Sequence, residues 1–99
     1  MEVEINAHKF KMAPFTPAIA ALIDKAEYEY ERAGILFTDD ESLAIAMAAV
    51  DAIEAMLGIG AMAKITDGKL ISAGDILKVM RKVKTLYEIG EPSGSNRDA

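Results

Sequence analysis

The sequence predicts an all-α protein, a small bundle of three main helices. Three observations carry this: three long segments with apolar residues at helical spacing, a start signal in front of each, and a core rich in alanine rather than in aromatics. Half of the 99 residues are hydrophobic, yet there are three Phe, three Tyr and no Trp. Ala, Ile, Leu, Val and six Met must fill the interior, and small side chains let helix backbones approach closely.

The first helix is predicted over Pro17–Ala33. Thr16 is a good N-cap, and Pro17 suits the first helical position because its missing N–H needs no partner there. Ile19, Leu22, Ile23, Ala26 and Tyr30 then share one face, and Gly34 can stop the helix. Ile35 to Phe37 reads as an extended link. A second helix is expected over Thr38–Leu57, opened by a capping box of Thr38 and Glu41. Asp39, Asp40 and Glu41 suit the positive end of its dipole. Between Leu43 and Leu57 only Asp51 and Glu54 are charged, which predicts a central helix buried around most of its circumference.

Gly58 and Gly60 interrupt the chain after Leu57, and Ala61–Lys64 leaves room for a short fourth helix. Asp67-Gly68 between apolar residues is a hairpin-type turn signal. Ser72 with Asp75 three residues on resembles another cap, for a last helix over Ala73–Ile89 that carries Ile76, Val79, Met80, Val83 and Tyr87 on one face. Gly90 and Pro92 end it, and Glu91–Ala99 reads as a disordered tail. The expected domain is thus residues 1–90. Period-two alternation at Val3 and Ile5, and again at Phe10 and Met12, allows a minor strand scrap from Val3–Ile5, Leu36–Phe37 and Leu70–Ile71.

An echo occurs at an offset of 34: Ala18-Ile19, Ala21, Gly34 and Leu43 recur as Ala52-Ile53, Ala55, Gly68 and Leu77. It fits two helix–loop–helix units, and equally the shared composition of two Ala-rich segments. The stretch Gly68–Asp75 resembles the second half of an EF-hand loop, which implies a helical pair of that type. With Asp75 as the twelfth position, the early ligand positions hold Lys64, Thr66 and Gly68, so the resemblance implies no calcium site.

The residues exclude much chemistry. There is no cysteine, hence no disulfide, thiolate metal site or cysteine nucleophile. His8 is the single histidine and has no ligand at metal-binding spacing, so no metal or cofactor is expected. Ser42 falls in a helix's first turn, Ser72 reads as a cap and Ser93 and Ser95 lie in the tail, so none stands out as an activated nucleophile, and Gly58-Ile59-Gly60 lacks the third glycine of a dinucleotide fingerprint. The expectation is a protein that is not an enzyme. No apolar run approaches the ~20 residues that span a bilayer, and no secretory leader is visible, which suggests a cytoplasmic location.

Charge is more informative. Eleven bases against sixteen acids give a net charge of −5, which disfavours direct nucleic-acid binding. From Asp24 to Glu54 there are nine acids and two bases, a local balance of −7. Asp24, Glu27, Tyr28 and Glu31 are expected on one face of the first helix, away from its apolar stripe. A solvated face explains the acids, but Tyr28 is an aromatic outside the core stripe, which suits a protein-binding surface. The expected function is a small acidic interaction module, a regulator or inhibitor that docks on a basic surface of a protein partner. In size and charge the chain resembles inhibitors encoded by phages and mobile elements, including those that occupy nucleic-acid grooves of CRISPR effectors. The alternative is a nucleic-acid-binding regulator that uses the basic last helix through Lys78, Arg81, Lys82 and Lys84.

Overall fold

A computed structural model describes residues 2–33, 39–69 and 71–90. The elements are β1 (Glu2–Ile5), β2 (His8–Lys11), α1 (Pro17–Ala33), α2 (Asp39–Leu57), α3 (Ala61–Thr66) and α4 (Ala73–Gly90). The all-α bundle is therefore present, with a fourth short helix and a small antiparallel hairpin.

The hairpin follows from local chemistry. Its register sets Glu2 opposite Lys11, Val3 opposite Phe10, Glu4 opposite Lys9 and Ile5 opposite His8. Both acids thus face lysines across the ladder, an arrangement that favours this pairing over its slipped alternatives. Asn6 and Ala7 make the two-residue turn with φ of 50° and 68°. Asn tolerates this left-handed backbone well, and its side-chain amide donates to the carbonyl of Ile65 at 2.8 Å, pinning the turn to α3. Ile5, Phe10 and Met12 are buried from this side.

The three long helices form the bundle. Thr16 Oγ1 accepts the backbone N–H of Ile19 at 3.2 Å, and Ser72 Oγ accepts that of Asp75 at 3.1 Å, so both side-chain caps are made. Thr38 and Gly34 lie outside the described residues, as do Ile35 to Phe37, Leu70 and the segment 91–99. α1 and α4 both pack mainly on α2 and meet each other along a narrower line. Ile19, Ile23 and Ala26 of α1, Ala48, Ala49, Ala52, Ile53 and Met56 of α2, and Leu77, Met80 and Val83 of α4 are buried together. Leu22 and Tyr30 are half-buried against this core, as are Ile76 and Val79.

Several expectations are corrected. Asp67-Gly68 does not turn a hairpin. Asp67 (φ 57°) is the left-handed cap of α3, and the N–H of Gly68 returns to the carbonyl of Ala63 at 3.0 Å. The same residue types that suit a hairpin turn also close a helix, and the flanking segment is helical here. Ile71 lies in no strand. The 34-residue echo is not a repeat of structure, because α1 is continuous whereas its counterpart 51–67 is broken between α2 and α3 by Gly58 (φ 107°) and Gly60 (φ 87°). Lys64 and Thr66 lie inside α3, leaving residues 67–72 between it and α4, too few for an EF-hand loop. Nor is α2 enclosed. α1, α3 and α4 all pack on it, as a central helix requires, but the side that bears Leu43, Met47 and Asp51 is exposed.

Candidate interaction surfaces

On α1, Ile19, Ile23 and Ala26 define the inward direction, and at 100° per residue Tyr28 points away from it. Tyr28 is 61% exposed, and Asp24 and Glu31 near it are exposed. The guanidinium of Arg32 sits 6.0 Å from the centre of that ring and is bonded to Glu29 at 2.8 Å. Three of the four residues expected on the acidic face are therefore brought together at the surface.

The fourth, Glu27, has another role. It lies four residues after Ile23 and three before Tyr30, at the edge of the core stripe, and so turns toward α4. Both of its carboxylate oxygens accept from Arg81, at 2.7 Å from Nε and 2.5 Å from a terminal nitrogen. Arg81 also lies 5.6 Å from the centre of the Tyr30 ring. The hydrogen bond from Arg81 holds the Glu27 carboxyl below its ordinary pKa, against the opposing effect of burial, and the charges of Arg81 and Lys84 add to it. Arg81 is raised in turn by its bond to Glu27, again against burial, with the charges of Glu27, Tyr30 and Glu31 contributing. One member of the expected acidic face and one of the expected basic face thus neutralise each other within the chain. Lys78, Lys82 and Lys84 remain exposed on α4.

The surface that charge reasoning missed is on α2. Leu43 is 59% exposed and Met47 58%, and Val50 continues their line half-buried. Asp40 and Asp51 are exposed on one flank of this line and Asp39 on the other. An open groove of about 530 Å³ follows its α4 side, lined by Leu43, Ala46, Ile71 and Gly74, with Asp39 and Ser42 at the helix start. The sequence marks this helix only as apolar around most of its circumference, a pattern that does not say which side meets solvent.

Two further features involve the N-terminal residues. Asn6, His8, Lys64, Thr66, Asp67 and Lys69 help to line an open cleft of about 550 Å³ between the hairpin turn and α3. His8 is half-buried there, with its ring 6.4 Å from that of Phe10. Near the end of α4, Tyr87 donates to the carbonyl of Ala13 at 2.6 Å and packs edge-on against Phe15, ring centres 5.0 Å apart. Burial raises the Tyr87 phenol pKa. Among the described residues, no three His, Asp or Glu side chains gather as a metal site would require, and no helix is long and apolar enough to cross a membrane. Comparison with protein-family models, with curated proteins and with solved structures found no match.

Proposed function

We propose that this chain is a non-enzymatic docking module, a regulator or inhibitor that binds a cationic surface of a protein partner. The observation that supports it best is Tyr28, exposed on the outer side of α1 with the exposed acids Asp24 and Glu31 along one side of it. A tyrosine offers a large contact area with few rotatable bonds, and desolvated tyrosines often anchor interfaces. The surrounding acids speed encounter with a positive partner. A partner that uses the same basic groove for nucleic acid would be blocked while this face is seated.

The test uses Asp24→Lys with Glu31→Lys, and leaves Glu27 intact so that its pair with Arg81 survives. A partner recovered by affinity capture should associate more slowly with the double variant, and added salt should slow the wild type in the same way. Tyr28→Ala should instead hasten dissociation. Unchanged kinetics in these variants, with binding lost in Lys78→Glu and Lys82→Glu, would reject this reading in favour of the nucleic-acid alternative on α4.

A further inference from the structure

A helix of a small bundle needs a polar outward side where that side meets water. α1 and α4 meet this need with Asp24, Lys25, Glu31 and Arg32, and with Lys78, Lys82 and Thr85. α2 does not. Its outward line runs Leu43, Met47, Val50, Glu54, a spacing of four, three and four residues. That is the period of a seam where one helix lies along another. Ala44 and Ala46 flank the seam, and side chains this small let a second helix come close. Leu43 and Met47 are the most exposed large hydrophobic residues within the described helices after Tyr28.

The charge around the seam decides what can cover it. Asp39, Asp40 and Asp51 are exposed, Glu54 ends the line, and Asp75 begins the neighbouring helix. No lysine or arginine occurs anywhere in α2. A second copy is a poor occupant for this reason. In a parallel pairing of two α2 helices Asp40 and Glu54, both in heptad step with the seam, would each face themselves. In an antiparallel pairing, which sets Met47 against Val50, each Glu54 would be pressed against a Leu43, and no base of either α2 would offset the acids. A helix with an apolar stripe edged by Lys or Arg meets the seam with opposite charges on its flanks and buries Leu43 and Met47.

We propose that the outward side of α2 from Asp40 to Glu54 is a docking seam for a cationic amphipathic helix of a protein partner. This deepens the proposed function, resting on its cationic partner, and adds a contact separate from Tyr28. On α1, Lys25 and Arg32 stand between the Tyr28 line and the flank turned toward α2, so the two surfaces can be altered independently. The groove along Leu43, Ala46 and Ile71 would take the larger side chains of the incoming helix.

The test uses the full chain and a synthetic amphipathic peptide of about five helical turns, with leucines on a heptad stripe and lysines at its flanks. A second peptide carries glutamates in place of the lysines. The Lys peptide should bind, with amide shifts centred on Leu43–Val50, and the Glu peptide should bind about tenfold more weakly or worse. Leu43→Gln with Met47→Gln should lower affinity for the Lys peptide by about tenfold or more, with an unchanged circular-dichroism melt. Tyr28→Ala, which alters the other surface without changing the charge, should leave that affinity within about twofold. Equal binding of both peptides, or no binding of the Lys peptide, would overturn the inference. So would light scattering that shows a dimer dissociated by the Leu43 and Met47 variant, since the seam would then belong to a second copy. Amide shifts confined to Asp24, Tyr28 and Glu31 would overturn this seam while leaving the proposed function standing.

Discussion

The line between α1 and α4 and the outward side of α2 resolve the same problem in opposite ways. Along α1 and α4, groups that want a partner find one inside the chain: Glu27 takes Arg81 with both oxygens, and Tyr30 lies against the same guanidinium. Along α2, Leu43 and Met47 find none among the described residues. A charged face read on one helix can be consumed by the next helix, because opposite charges at the edge of a core stripe are positioned to meet. An apolar excess on the open side of α2 has no such internal outlet once its neighbours have taken its inward sides. The contrast says that in this molecule a tally of acids overstates the charge left unpaired at the surface, whereas the apolar excess of α2 stays exposed.

The largest expected effect separates two methionines of the same helix. Met56 is fully enclosed, whereas Met47 is more than half exposed. Met56→Ala should cost about 2–5 kcal/mol through lost transfer energy and the cavity left behind. Met47→Ala should stay within about 0.5 kcal/mol. Urea titrations of both variants measure this directly. A comparable loss in both would mean that Met47 is buried in solution and that α2 has no open side.

That difference shows what the sequence could and could not convey. α1 and α4 were legible almost to their ends, because Thr16 and Ser72 cap them and their apolar residues keep one face. α2 was legible as a helix but not in its surroundings. Its apolar residues run nearly all the way round, and that pattern is the same whether neighbours or solvent lie outside. The hairpin was visible only as two separate alternations, since the pairing of Glu2 with Lys11 and Glu4 with Lys9 depends on a turn at Asn6-Ala7 that lacks glycine. Asp67-Gly68 misled because the residues that turn strands also cap helices. On the candidate face, Asp24, Tyr28 and Glu31 fell where the spacing placed them. Glu27 did not, because a position at the edge of a helical stripe is decided by what the neighbouring helix brings to it.

Next in size is the tie between the chain start and α4. Tyr87→Phe removes the hydrogen bond to Ala13 and leaves that carbonyl to find water, an expected loss of about 1 kcal/mol. Because burial raises the phenol pKa, the folded state favours the neutral form, and the stabilisation it brings is present below the phenol's ordinary range and lost as pH rises through it. The wild type should therefore lose stability at strongly alkaline pH by a larger margin than Tyr87→Phe, as read from melts on either side of pH 10, the phenol's ordinary value. Parallel melting curves for the two proteins would place Tyr87 in water.

The smallest effect tests the paired line itself. Glu27 is held below its ordinary value of 4.5, so its contribution is complete above that value and lost as pH falls through the lowered one. Glu27→Gln keeps the shape of the side chain and removes the charge, and Arg81→Gln does the same from the other side. Because the Arg81 side chain is about half exposed, each should cost only a few tenths to about 1 kcal/mol at neutral pH. Both variants should also flatten the fall in stability between neutral and acid pH, where the wild type protonates Glu27. If the pair acts as a unit, the double variant will cost less than the sum of the two single ones, and the shortfall measures their coupling. Full additivity would mean that the two side chains do not hold each other in solution. Glu27 would then be free to join Asp24, Tyr28 and Glu31 on one acidic face, and the difference between the paired line of α1 with α4 and the open seam of α2 would disappear.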